Sequence, residues 1–178
     1  IPAYNEENNL KKCVLADVKD FLEESDLDYE VIVVDDGSSD DSVNLIKKFI
    51  SQNNHFKLIQ NTHGGKANAV MTGMLKAAGE IVLFTDMDQA TPINQIEKFM
   101  PKFEEDFDIV IGSRHGRKGA PLTRKLAAWG FSVLRGIILG LPFEDTQCGF
   151  KAFSKQVVER IIPKIKNEWG VVHFKGGA

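Results

Sequence analysis

The sequence predicts an α/β fold: a mostly parallel sheet with helices on both faces. Three observations carry this expectation. Short apolar, β-rich runs alternate with helical stripes along the chain. The runs are apolar at nearly every position, as strands buried on both faces are. Several of them end on acidic or polar residues, where a parallel sheet offers its ligand-binding edge.

Taken in order, "IPAYNEE" reads as the end of a strand. "EENNLKKCVLADVKDFLEE" places Leu10, Val14, Val18, Phe21 and Leu22 on one helical stripe. "YEVIVVDD" is a buried strand ending in acid, and "SSDDSVNLIKKFISQ" is a Ser/Asp-capped helix with Val43, Ile46, Phe49 and Ile50 on one face. "FKLIQN" is a short strand, and "GGKANAVMTGMLKAAG" is a helix led by glycines and closed by Gly79. "EIVLFTDMD" is a strand, "PINQIEKFMPKFEE" a helix with proline at its start, and "FDIVIGSR" a further strand. "PLTRKLAAWGFSVLRGIIL" reads as a long helix and "SKQVVERII" as a shorter one. The strand ends Asn5-Glu6, Asp35-Asp36, Asn61, Asp86 with Asp88, and Ser113-Arg114 are expected to converge on one edge.

No repeat or linker interrupts the pattern, so residues 1–178 are expected to form one domain. A net charge of −3 gives no general signal for polyanions, so no nucleic-acid partner is expected and any basic function must be local. Cys13 and Cys148 are too few for a disulfide framework, and the histidines lack metal-ligand spacing, so reduced thiols on the cytosolic side are the default. "GFSVLRGIILGLPF" is interrupted by Arg135 and falls short of the roughly 20 residues that span a bilayer. No signal peptide is visible. The opening Ile1-Pro2 and the uncapped tail "VVHFKGGA" are expected of a fragment of a longer protein, with room for membrane segments outside it.

Several groups could carry chemistry. Asp86 and Asp88 stand two apart at a strand end, which puts both carboxylates on one side of an extended backbone. Such a pair suits Mg²⁺ or Mn²⁺ carrying a diphosphate, or else a solvated turn. Asp35-Asp36-Gly37-Ser38 suits either ribose or base recognition or an Asx turn. "HGGKANAV" sets Lys66 at a helix start, an anion site or a plain turn. From Gly112 to Phe143 the chain carries Arg114, Arg117, Lys118, Arg124, Lys125 and Arg135 and no acid. A basic loop before an apolar helix suits anionic lipid head groups, or a solvated loop before a core helix. "EDTQCGFKAF" has no chemistry legible from composition.

In sequence order, "IPAYNEE", "VIVVDDGSSDDS", "GGKANAV", "FTDMDQATP", "IGSR", "RKLAAWGFSVL" and "DTQCGFKAF" resemble the family 2 glycosyltransferases of the GT-A fold. The likeness spans nearly the whole chain. Within the family it points to the dolichyl-phosphate (polyprenyl-phosphate) β-glucosyltransferases and their mannosyltransferase relatives, "DTQCGFK" being the most specific motif. The resemblance implies that Pro2, Ala3, Tyr4 and Glu6 meet the nucleotide base, that Asp36 reads uracil or ribose, and that Lys66 lies near the nucleotide. It makes Asp86 and Asp88 the metal pair, with Asp88 the more direct ligand of Mg²⁺ or Mn²⁺. Arg114 and Arg124 would meet the acceptor phosphate, and Asp145 and Gln147 the transferred sugar. Departures are Gln89, which follows Asp88 immediately instead of a few residues on, a short Arg114–Arg124 loop, and no "FDVE"-like segment near the end.

The resemblance thus implies an inverting transferase moving a hexose from a nucleotide-diphosphate sugar, UDP-glucose before GDP-mannose, to a polyprenyl phosphate at the cytoplasmic face of a membrane. UDP-GlcNAc or a saccharide acceptor is the alternative within the family. An acceptor phosphate is already ionised near pH 7 and needs no strong base, which suits a chain without an evident catalytic histidine. Outside the family, "VIVVDD" also fits a receiver-type signalling domain, although that fold needs a lone acceptor aspartate where this chain has a pair. A sugar nucleotidyltransferase would need a long glycine-rich basic loop after the first strand, which "IPAYNEE" lacks. A silent binding module of the same fold is the third alternative.

Overall fold

The computed structural model describes residues 1–113 and 148–169, with the side chains of the last helix described to Ile165. The chain divides into two compact units, one of Ile1–Val110 with Gly149–Ala178 and the other of Ile111–Cys148. The first unit holds nearly all of the described residues.

Along the chain the elements are β1 (Pro2–Ala3), α1 (Glu7–Leu10), α2 (Val14–Glu24), β2 (Val31–Asp35), α3 (Ser42–Ile50), β3 (Phe56–Gln60), α4 (Lys66–Lys76) and β4 (Ile81–Thr85). A 3-10 turn (Ile93–Lys98), α5 (Met100–Glu104), β5 (Ile109–Ile111), β6 (Phe150–Ser154) and α6 (Lys155–Trp169) come next. One three-stranded sheet has the order β1-β2-β3 and is parallel throughout, with Val34 opposite Pro2 and Val33 opposite Leu58. The other has the order β4-β6-β5, with β4 and β6 antiparallel and Leu83 opposite Ala152.

The helices cover both faces of the parallel sheet. Val31 and Val33 join Val14, Leu15, Val18 and Leu22 of α2, Ile46 of α3 and Phe56 in one core. Ile46 is fully buried, and burying such a side chain contributes about 1.5–3 kcal/mol. On the other face α4 lies close to β2. A Cβ on Gly73 would come within 3.1 Å of Val34 Cγ2, so the helix approaches the strand at a residue without a side chain. A second core joins Met71 and Met74 of α4 to Val82 of β4 and to Val158 and Ile162 of α6.

Three elements depart from the sequence expectation. The first helix is two pieces, broken at Cys13 with φ of 63°. Backbone N–H groups of Glu6 and Glu7 donate to Ser42 Oγ and Asp40 Oδ2, so α1 is pinned to the loop after β2 while the apolar stripe continues into α2. The expected helix over residues 92–105 begins as a 3-10 turn and restarts as α5, with Pro101 in its first turn. Proline has no N–H to give to the carbonyl four residues back, so an uninterrupted α-helix through it is disfavoured. The third departure is β6, a strand where the sequence suggests none. Its alternating burial, with Phe150 and Ala152 buried, is the pattern of a half-buried strand.

Glu30 closes the lower end of β2. Its Oε1 accepts the Ala78 N–H (2.6 Å) beyond α4 and its Oε2 the Lys57 ammonium (2.7 Å) of β3. These bonds, Lys57 first and Ala78 second, hold the Glu30 carboxyl below its ordinary range. A lowered folded pKa stabilises the protein above the unfolded value and is lost as pH falls through the folded one. Glu30→Gln is therefore expected to cost about 1 kcal/mol at pH 7. In urea unfolding the gap to wild type should close below about pH 4.3; a gap that is unchanged at pH 3 counts against the charged clamp.

Candidate active site

The strand ends carry the site. β2 finishes on Asp35, and Asp36 follows it directly; both are 2 % exposed, so neither carboxylate is free surface. Asp35 folds back to accept Gly37 N–H (3.2 Å) and Ser38 N–H (3.3 Å), an Asx turn that Gly37, at φ of 78°, completes. Asp36 builds the loop before α4. Its Oδ1 accepts Gly64 N–H at 3.1 Å and its Oδ2 accepts Gly65 N–H at 2.7 Å. His63 Nδ1 lies 2.9 Å from the same Oδ2 and 3.0 Å from the Asp36 carbonyl. Both facing atoms are acceptors, so Nδ1 carries the proton.

The β1–α1 loop is tied to the β2–α3 loop from the other side. Asn5, at φ of 54°, donates its N–H to Ser38 Oγ (2.9 Å) and accepts Ser39 N–H on Oδ1 (2.8 Å). Asn9 Nδ2 holds Glu6 Oε2 at 2.6 Å. Tyr4 is left 47 % exposed at the rim, its ring 4.5 Å from that of His63 and tilted by 30°. The two rings form an exposed aromatic shelf, a surface of the kind on which a planar base stacks.

β4 ends at Thr85, and residues 86–89 form a turn closed by Gln89 N–H donating to the Asp86 carbonyl at 3.2 Å. The pair is thus not on a strand, yet the alternation persists: Met87 is buried between a half-buried Asp86 and an exposed Asp88. Gln89, at φ of 47°, gives its Nε2 to the Asp86 carbonyl (2.9 Å) and Thr85 Oγ1 (3.3 Å). Its side chain staples the turn, which is what its displaced position after Asp88 does locally.

Asp86 Oδ1 is shut off from water without a hydrogen bond, and the Lys66 ammonium stands 2.7 Å from it as an ion pair. Lys66 opens α4, after Gly65 at φ of 84°, and also lies 5.8 Å above the Phe84 ring. A carboxylate oxygen shut off from water and neutralised by one lysine, with a second carboxylate two residues on, fits a hard divalent cation. No group of three or more His, Cys, Asp or Glu side chains suited to a metal occurs among the described residues. The remaining ligands of such a cation would then be diphosphate oxygens and water, the usual manner of Mg²⁺.

Pro2, Ala3, Tyr4, Glu6, Asp36, Lys66, Asp86 and Asp88 all line one cleft of about 270 Å³, together with Asn9, His63, Ala69 and Met87. Every nucleotide- and metal-binding position expected from the sequence and falling on described residues is therefore in one place. Asn61 is not among the lining residues, and its side chain donates to Thr72 Oγ1 (3.1 Å) instead. Arg114, Arg124, Asp145 and Gln147 lie outside the described residues. His63 joins the site without having been expected there, because the spacing of the histidines speaks only to metal binding. Its signal in the sequence is its place directly before the glycine pair of an anion loop. No helix among the described residues is long and apolar enough to cross a membrane.

A mannosyltransferase of Pyrobaculum calidifontis, solved with GDP-Man and Mn²⁺, superposes with a TM-score of 0.61 at 23% identity, over 90% of this chain and 44% of that one. That likeness shows the fold, which is GT-A. The dolichyl-phosphate beta-glucosyltransferase of Dictyostelium discoideum is 32% identical over 94% of this chain and 57% of its own length. Its Drosophila melanogaster namesake is 34% identical over 94% of this chain and, again, 57% of its own length. The chain thus spans little more than half the length of these relatives. Residues 1–162 match the model of the family described as glycosyl transferase family 2. A match over so much of the chain sets aside the receiver-type alternative, and the chain belongs to glycosyl transferase family 2.

Proposed function

We propose that this chain is the catalytic part of an inverting, metal-dependent hexosyltransferase that moves glucose from UDP-glucose to a polyprenyl phosphate at the cytoplasmic face of a membrane. The observation that carries the reading is the single cleft holding the aromatic shelf, Lys66 and the Asp86–Asp88 pair. The choice of glucose and of a lipid phosphate is supported by the activity for which the Dictyostelium and Drosophila relatives are named.

The base stacks on Tyr4 and His63, and the loop of Gly64 and Gly65, fixed by Asp36, sets the floor beneath the nucleotide. Asp86 and Asp88 would hold Mg²⁺ or Mn²⁺, which would supply charge neutralisation for the diphosphate leaving group. Lys66, now paired with Asp86, would also offer its positive charge to the diphosphate. An acceptor phosphate oxygen attacks the anomeric carbon, and the bond from that carbon to the β-phosphate oxygen breaks with its electron pair leaving on UDP. No proton needs to be removed, because the nucleophile is already anionic. Arg114 and Arg124 would hold the acceptor phosphate in line against the donor's like charge, and Asp145 and Gln147 would meet the sugar. The basic segment that contains both arginines would lie against anionic lipid.

The test is incubation of the full-length protein with polyprenyl phosphate and labelled UDP-glucose, GDP-mannose or UDP-GlcNAc, with Mn²⁺ or EDTA. Labelled lipid is expected from UDP-glucose and not in EDTA. Label from another donor alone overturns the glucose assignment. Absence of lipid product with every donor overturns the acceptor class.

A further inference from the structure

Gly149, directly before β6, has no part in the chemistry above, yet among the described glycines it makes the closest approach to a neighbouring side chain. A Cβ built on Gly149 would lie 1.9 Å from Asp86 Oδ2, 2.5 Å from Cγ and 3.0 Å from Oδ1. Those three atoms are its nearest neighbours, and all belong to one carboxylate. The Asp86 carboxylate therefore occupies the space that any other residue at position 149 would fill with its own side chain.

What would have to move decides what the glycine is for. At Gly73 the atom in the way is a core methyl of Val34, so that glycine serves helix–strand packing. At Gly149 the atoms in the way are the end of a short side chain that can rotate about two bonds. A Cβ there would leave the backbone where it is and turn the carboxylate. Turning the carboxylate would displace Oδ1 from its present place 2.7 Å from Lys66 and change how it faces Asp88. Gly149 carries no positive φ, so its turn does not demand glycine for backbone reasons.

We propose that Gly149 is a positioning residue for the metal-binding acid: its missing side chain is the seat that aims the Asp86 carboxylate at the cation. This rests on the reading of Asp86 as a metal ligand. It also gives part of the "CGF" stretch a physical task, joining the lead-in of β6 to the turn after β4.

The test is a double-mutant cycle of Gly149→Ala and Asp86→Ala in the full-length protein, with thermal unfolding and with Mn²⁺ binding in the presence of UDP, read by electron paramagnetic resonance. Gly149→Ala alone is expected to weaken Mn²⁺ binding at least tenfold, while UDP binding in EDTA changes less than twofold. In the Asp86→Ala background, where the seat is empty, Gly149→Ala should change neither Mn²⁺ binding nor the melting temperature. Wild-type Mn²⁺ affinity in Gly149→Ala overturns the proposal. So does an equal loss of melting temperature in both backgrounds, which would make Gly149 a packing residue. A wild type that binds no Mn²⁺ with UDP overturns the metal reading itself; the melts, which need no ligand, still decide whether Gly149 acts through Asp86.

Discussion

Asp88→Asn is expected to lower sugar transfer at least about 100-fold, the scale of losing one electrostatic contact to a developing charge, while the fold is kept. The residue is exposed and its one described bond, Oδ1 accepting Ala90 N–H at 3.0 Å, can be made by an asparagine oxygen. Asparagine keeps the shape and removes the charge that a cation requires. Asp86→Asn should be as damaging to transfer, with a second signature. It leaves the Lys66 ammonium facing a neutral amide, so binding of metal-free UDP should hold or tighten while Mn²⁺-dependent binding fails. The measurement is initial transfer rate across a Mn²⁺ series, with UDP titrations in EDTA alongside. Normal turnover in Asp88→Asn would sink the metal assignment. Equal loss of UDP binding with and without metal would make the aspartates general architecture of the cleft.

The parallel half of the fold is legible in the sequence because its signals are local. "VIVVDD" is an apolar run that ends where the strand ends, and of the stripes their spacing sets α2 buries Val14, Val18 and Leu22 and α3 buries Ile46. What stays hidden is what depends on partners distant in sequence. β6 pairs antiparallel with β4 across roughly 70 residues, and "FKAFS" is too short and too mixed to announce a strand by itself. The start of α1 is fixed by hydrogen bonds to Asp40 and Ser42, which no helical stripe can report. The same limit holds at the site. Residue type and spacing single out Asp86 and Asp88, but the cradle at Gly149 is a space, and a sequence does not display spaces. Family resemblance points Asp36 at the nucleotide, whereas its carboxylate is spent inside the protein on the Gly64 and Gly65 amides. Any contact it makes with a base is therefore additional to a structural task.

That task predicts the second large effect, because Asp36 is the one acid on which the His63–Gly65 loop converges. Asp36→Asn presents a single acceptor oxygen, and its amide N–H groups face donors where the carboxylate faced them with oxygen. The Gly64 and Gly65 amides must then share one neutral oxygen or one of them faces an N–H, while the His63 Nδ1–H keeps the Asp36 carbonyl at 3.0 Å. Losing a hydrogen bond to a charged acceptor costs about 1.5–3 kcal/mol. The loss should register in urea unfolding as a lower midpoint with an unchanged slope. Function should suffer more than stability. The loop carries one ring of the aromatic shelf and sets the start of α4, and so Lys66. UDP affinity is expected to fall about tenfold to 100-fold, the equivalent of about 1.4–2.8 kcal/mol, with metal present or absent. This independence of metal separates Asp36 from the Asp86–Asp88 pair. His63→Phe, which keeps a ring against Tyr4 and gives up the bond to Asp36, should retain more UDP binding than His63→Ala. Equal losses in the two variants would mean that the imidazole matters through its bond to Asp36 and not as a stacking face. Unchanged UDP binding in Asp36→Asn would show that the glycine loop is held without the carboxylate, and the shelf would then owe its position to the Asn5–Ser39 brace on the opposite side.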